Sequence, residues 1–206
     1  ESLDIPGDTR LSPFTHFIVY ALTSFVEQTI PGATLIVDTI ASVSGIEFTD
    51  KDLDVAEVGG SMRWASPTDN SRVELYRIYM ASTAVGANRA QLLDDVSPVT
   101  GSLIVPDNTP LASGLASYSH LVVYTSSSLF EQTTPVATAI HDRDALVNNV
   151  TFLDYDLDVD DIGGVLAWLP PDDVTQITHY VIYMSMNGEG GNRSFFDNSS
   201  VGSDFV

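Results

Sequence analysis

Asp50, Asp52 and Asp54 form a D-x-D-x-D run, and Asp154, Asp156 and Asp158 repeat it, with Asp160 and Asp161 beyond. Alternating carboxylates can converge on a hard cation such as calcium, which takes about six to eight oxygen ligands. A calcium loop places a glycine after its third acidic position, and here Val55 and Val159 stand there. The competing reading is a solvated acidic strand edge, in which alternate residues share one face. The sequence leaves both open, so calcium is the one cofactor it suggests.

Other residue types carry less chemistry. His16 and His120 recur at one strand position, which fits a neutral histidine beside a carboxylate better than a metal ligand. His141 and His179 stand where the other copy has Val37 and Leu75. Asn149-Val150-Thr151, Asn192-Arg193-Ser194 and Asn198-Ser199-Ser200 are acceptor patterns for N-glycosylation, so covalently attached glycans are expected partners if the chain is secreted in a eukaryote. The chain has no cysteine, which removes disulfides, thiolate metal sites and cysteine nucleophiles together. Gly188 to Asn192 is a flexible turn without a phosphate-binding signature, and no catalytic constellation emerges. The chain is expected not to be an enzyme.

The elements that carry these residues come from an internal repeat. His16-Phe17-Ile18-Val19-Tyr20 returns as His120-Leu121-Val122-Val123-Tyr124, and Glu27-Gln28-Thr29-Ile30-Pro31 as Glu131-Gln132-Thr133-Thr134-Pro135. Asp52-Leu53-Asp54-Val55 with Gly59-Gly60 returns as Asp156-Leu157-Asp158-Val159 with Gly163-Gly164. Trp64, Pro67, Tyr76 and Asn88-Arg89 return as Trp168, Pro171, Tyr180 and Asn192-Arg193. The offset is 104 throughout, without a gap from Leu11 to Arg89, and about 40% of these positions are identical. Ser2 to Thr9 match Ser102 to Thr109, and Val201 to Val206 match the stretch just before Ser102. The expectation is one complete module and one split between the two ends.

Within each module the signals are for strands. Tyr76, Ile78 and Met80 alternate, as do Tyr180, Ile182 and Met184. Ser61 to Trp64 follows a Gly-Gly pair, Ser119 to Tyr124 is a strong strand, and Val136 to Ile140 a weaker one. Ser102 to Val105 reads as a short strand stopped by Pro106. Nothing sustains a helical period, so the fold class is all-β, built as tandem β-sandwich modules. Trp64 and Trp168 read as core residues rather than sugar platforms.

A Trp in one strand, a nearby Pro and a following Tyr-x-Ile-x-Met resemble strands B and C of a fibronectin type III domain, an immunoglobulin-like sandwich. Leu115-Ala116-Ser117-Tyr118 resembles that family's tyrosine-corner entry into strand F, where the first copy has Leu11-Ser12-Pro13-Phe14. Phe14 lacks the hydroxyl, so that corner is expected to be weaker. The phrase Asp-Leu-Asp-Val…Gly-Gly…Trp is also similar to large tandem-repeat surface proteins of single-celled algae and other protists. The resemblance implies a sandwich of about seven strands and no chemistry, because the fold serves many functions. It implies strands E, F and G over 1–44, a whole module over 45–144, and strands A, B and C over 145–206.

The net charge is −20, with Lys51 the single lysine. Such a field repels nucleic acid and attracts divalent cations, basic partners or water and salt. No apolar run approaches the ~20 residues of a membrane helix. A half sandwich exposes one apolar face and unpaired backbone edges, so its complement must come from somewhere. The two ends can close on each other, one subunit can complete the next, or the chain can be one period of a longer array. The last two propagate without closing, which is how filaments arise. Both faces of the strand after Tyr118 are apolar or aromatic, so the second is expected to meet a neighbouring module, the alternative being a cover of long side chains or glycans. The functional expectation is a structural subunit of an extracellular or cell-surface filament or fibre, whose main partner is another copy of itself. The alternative is a cell-surface adhesion or carbohydrate-binding module array.

Overall fold

A computed structural model describes residues 1–202, and the match of 203–206 to the middle copy lies outside the described residues. The chain is all-β, with no helix among the described residues. In chain order the strands are β1 His16–Val19, β2 Gly32–Leu35, β3 Ser44–Phe48, β4 Glu57–Ala65, β5 Leu75–Ala81, β6 Ala90–Gln91, β7 Ser102–Pro110 and β8 Ala112–Ser113. They continue as β9 Ala116–Ser117, β10 His120–Ser126, β11 Val136–Ala139, β12 Asn148–Asp154, β13 Gly164–Leu169, β14 His179–Met184 and β15 Ser194–Ser200. A four-stranded sheet has the order β11-β10-β5-β6 and a three-stranded sheet the order β3-β4-β7, while β1-β2, β8-β9, β12-β13 and β14-β15 are two-stranded. The alternating apolar pattern sets these strands, because a strand with one buried face needs a period of two.

Two compact units emerge, and neither follows the repeat boundaries. One comprises Glu1–Ile46, Arg63–Gly101 and His120–Thr138, and the other Glu47–Met62, Ser102–Ser119 and the chain from Ala139 onward. In the first, β10 pairs antiparallel with β5, from His120 opposite Ala81 to Ser126 opposite Leu75. Tyr76 and Ile78 are fully buried there, and so are Leu121, Val122 and Val123. Trp64 packs edge-on to Tyr76 at 5.8 Å between ring centroids, the core role its type suggested. In the second unit β12 pairs with β13 and β14 with β15, each with a register shift.

Two expectations change. The strand from Ser102 does not stop at Pro106 but runs on to Pro110. The reason is its position: β7 is the edge of its sheet, where a residue without an N–H leaves no ladder bond broken. The second face of β10 is covered by this chain itself, because Val122, Tyr124 and Ala81 form a buried cluster against Tyr79 and Ala137.

The recurring Gly-Gly pair also has a local cause. A β-carbon on Gly60 would overlap the Thr49 carbonyl oxygen, and one on Gly164 would overlap that of Leu153. The incoming chain lies against the strand at this point in both copies, and only glycine leaves room.

Candidate functional site

Three features stand out: the acidic turns, an aromatic–ion network, and two open sheet faces. The first acidic run is a turn outside any strand, between β3 and β4. Asp50 Oδ1 accepts from the Asp52 N–H at 3.1 Å and the Gly59 N–H at 3.0 Å, while Oδ2 accepts from the Arg143 N–H at 3.0 Å. Asp52 accepts from the Asp54 and Asn108 N–H groups. Asp142 in turn accepts from the Ala56 N–H at 2.9 Å. Asp50 is 2% exposed, so it is not part of a solvated edge. Its carboxylate satisfies the buried Gly59 N–H and two part-buried backbone donors.

The second run repeats the local half of this design. Asp154 Oδ1 accepts from the Asp156 and Gly163 N–H groups at 3.0 and 2.9 Å, and Asp158 N–H donates to Asp156. Asp154 is nevertheless exposed. The turn therefore forms from local sequence, and its burial depends on what covers it.

Of the six aspartates suggested as calcium ligands, the structure gathers two. Asp52 and Asp54 join Glu57 with ligand oxygens within 4.8 Å of one another, and among the described residues neither Asp50 nor Asp154, Asp156 and Asp158 enters such a group. Three carboxylates can hold a hard cation if carbonyls or water supply the remaining oxygens. Glu57 was not among the sequence candidates, since it lies outside the alternating run. His16 is exposed with its Nδ1 at 2.9 Å from Thr15 Oγ1, and no histidine enters the acidic group. His141 and His179 are exposed. Asn149, Asn192 and Asn198 are exposed too, as an acceptor for a glycan must be.

No known protein family matches this chain, and no curated protein does. Its function must therefore be argued from its own geometry.

Glu131 organises the aromatic network. It receives the Tyr79 hydroxyl at 3.0 Å and pairs with Arg89 at 2.7 Å and with Arg77 at 3.4 Å. The Arg89 guanidinium lies 4.4 Å from the Tyr79 ring centre and 4.1 Å from that of Tyr124, which are edge-on to each other. The signal for these residues was present in the repeat, where Glu131 and Arg89 match Glu27 and Arg193, but nothing in it revealed that they meet. In the other copy Arg193 lies 4.7 Å from the Tyr183 ring centre, and neither Glu27 nor Arg193 enters an ion pair among the described residues.

Burial, and then the bond to Glu131, hold the Tyr79 hydroxyl above its ordinary value of 10.0, against the opposing pull of Arg89 and Arg77. A raised value in the folded state means the stabilisation is intact below the ordinary phenol value and is lost as pH rises through the folded one. Melting temperatures followed from about pH 8 to 12 should therefore fall along the alkaline limb, and Tyr79→Phe should flatten that fall. An unchanged slope in the variant would show that Tyr79 is not the group responsible.

The open faces lie on strands that repeat buried ones. Phe17, Ile18 and Val19 of β1 are 45%, 54% and 73% exposed, whereas their counterparts Leu121, Val122 and Val123 are at most 1% exposed. Leu11, Phe14, Phe17 and Ile36 line a groove of about 470 Å³. Phe14 is exposed where Tyr118, at the matching position, is buried. In the other unit Val150, Leu166, Trp168 and Ile182 line a groove of about 400 Å³. Trp168 and Tyr180 keep the edge-on contact of Trp64 and Tyr76, at 5.3 Å. The repeated residues thus keep the same local contacts in both copies and differ in exposure.

Proposed function

We propose that this chain is a non-enzymatic structural unit of an extracellular filament or tandem-repeat fibre, in which complementary half β-sandwiches join copies head-to-tail. One observation carries the reading. The strand matching β10 and the strands matching β4 and β5 leave exposed or half-buried the apolar residues whose counterparts in the middle copy are buried: Phe17, Ile18 and Val19 on one side, Leu166, Ile182 and Met184 on the other. Apolar faces of this extent on separate sheets mark interaction surfaces. A contact between two different surfaces of one molecule is head-to-tail, and it builds an open filament whenever its rotation does not close a ring.

The sheet orders β3-β4-β7 and β6-β5-β10-β11 support the resemblance to a fibronectin type III sandwich, with A-B-E on one sheet and C-F-G on the other. On this reading residues 45–144 are a complete module, 1–44 supply the second half of another, and 145–206 the first half. The exposed Asn149, Asn192 and Asn198 fit an extracellular setting with attached glycans. Among the described residues no helix is long and apolar enough to cross a membrane.

Electron microscopy of the native material with a denaturing gel tests this. Long fibres with a band near 22.2 kDa are expected for separate subunits, and fibres with a much larger band for a covalent array. Compact single particles of about two modules would overturn the proposal.

A further inference from the structure

We propose that the joint between copies reproduces the joint inside residues 45–144 in register, so that β1 of a second copy adds to β14 with Val19 opposite Ile182 and Glu27 seated on Arg193. The inference rests on the head-to-tail reading and specifies its partner, a second copy of this chain, strand by strand.

The complete copy supplies the template. Val123 lies opposite Ile78 in the β10–β5 pairing, and the offset of 104 converts that pair to Val19 and Ile182. Within one chain β1 is paired with β2 and β14 with β15, in two separate sheets. Both faces of β1 are apolar or aromatic, so the register is set by specific partners, Tyr20 and Glu27 against Tyr183 and Arg193, rather than by which face is apolar.

Both sides of the joint are already shaped for it. Arg193 sits on the Tyr183 ring as Arg89 sits on Tyr79. What the second ring and the carboxylate contribute in the complete copy, Tyr124 and Glu131, is matched by Tyr20 and Glu27, and Tyr20 is 37% exposed where Tyr124 is 3% exposed. A positive guanidinium on one surface thus faces an unpaired carboxylate on the other, which fixes orientation as well as attraction.

The acidic turn gives a second, independent match. Asp154 holds two of the three N–H groups that Asp50 holds, and the missing donor, Arg143 N–H, corresponds to Thr39 of the second copy. Ala56 and Asp160 share an unusual positive φ of 65° and 69°. Ala56 donates its N–H to Asp142, and Asp38 stands at the place of Asp142 to receive that of Asp160. On the other surface Asp8 and Asn108 have φ values of 59° and 55°, and Thr9 and Thr109 each donate to the carbonyl of the preceding proline at 2.7 Å. Surfaces held in their bound conformation lose little entropy on joining.

The absence of cysteine allows a direct test. A chain carrying Val19→Cys is mixed with a tagged chain carrying Ile182→Cys, and the mixture is gently oxidised. Directly opposed strand positions fall within the Cα separation a disulfide requires. A heterodimer band at least about tenfold stronger than with Met184→Cys in place of Ile182→Cys is expected, since that pair is displaced along the strand. Adding Arg193→Glu to the Ile182→Cys chain should reduce the band about tenfold, and Glu27→Arg on its partner should restore it. A stronger band with Met184→Cys, or fibres of the unsubstituted chain without a heterodimer in either mixture, would overturn the register and leave head-to-tail assembly standing. No heterodimer and no oligomer would overturn both. A chain carrying Val19→Cys and Ile182→Cys together that crosslinks only to itself would show closure within one chain and overturn the second copy as partner.

Discussion

Replacing Asp50 with Ala is expected to lower the folding stability of the chain by about 2–4 kcal/mol, since a buried donor left without its acceptor costs roughly 1–3 kcal/mol and only one of its three donors, the Gly59 N–H, is fully buried. Three backbone N–H groups lose their partner at once, from Asp52, Gly59 and Arg143. These donors belong to the turn, to the start of β4 and to the segment after β11, so the substitution loosens pieces far apart in sequence. Asp50→Asn keeps one acceptor oxygen but turns an NH2 toward a donor, and it should recover only part of the loss. The mirror substitution Asp154→Ala removes the acceptor of two of the same kinds of bond. Its effect in the unassembled chain should be far smaller, because water replaces the carboxylate at that exposed turn. Urea melts of the three variants measure this directly. Equal losses for Asp50→Ala and Asp154→Ala would show that burial of the turn is not what gives Asp50 its weight.

Tyr76→Ala is expected to cost a further large amount, about 3–5 kcal/mol, as for other large aromatic residues removed from a packed core. Tyr76 is fully buried and loses its edge-on contact with Trp64. Its hydroxyl, however, has no hydrogen-bond partner among the described residues. Tyr76→Phe should therefore be neutral or stabilising by up to about 1 kcal/mol, because a buried hydroxyl without a partner carries a desolvation cost. Thermal or urea unfolding of the two variants separates the ring from the oxygen. A loss for Tyr76→Phe comparable to that for Tyr76→Ala would mean that the hydroxyl is bonded after all. Tyr180, at the matching position, is only half-buried, so Tyr180→Ala should be milder in the free chain and grow in an assembled fibre.

Taken together, the two substitutions separate the buried residues of the repeat from their exposed counterparts. The same residue types hold the same local geometry in both: Trp64 against Tyr76 and Trp168 against Tyr180, Asp50 on Gly59 and Asp154 on Gly163. The difference lies in coverage. Leu121 and Val123 are buried and Phe17 and Val19 are not, although the sequences around them are near copies. Stability that comes from covering an apolar face is available only to the copy that has its cover, at about 25 cal/mol per Å² of apolar surface removed from water.

Much of the strand pattern is legible in the order of the residues. Tyr76-x-Ile78-x-Met80 and its counterpart at Tyr180 announce half-buried strands by their period of two, and β5 and β14 stand there. The offset of 104 announces which strands are alike, because each module solves the same packing problem with the same residues. The all-β class follows from these signals, since they are local: each depends on residues a few positions apart.

Other features depend on residues brought together from a distance. Asp50 reads in the sequence as one of three equivalent carboxylates, yet it is the buried one and takes the N–H of Arg143, 93 positions away. Glu57 joins Asp52 and Asp54 through the path of the turn, which the alternating spacing does not encode. Glu131 meets Arg89 and Tyr79 across 42 and 52 positions, on separate strands whose pairing and register had first to be settled. Pro106 reads as a strand stop until β7 is known to be an edge. Local composition dictates which segments are extended and which way their side chains alternate. Which of two near-identical faces is buried, and which carboxylate becomes structural, is a matter of long-range coverage, and no short-range rule in the chain carries that information.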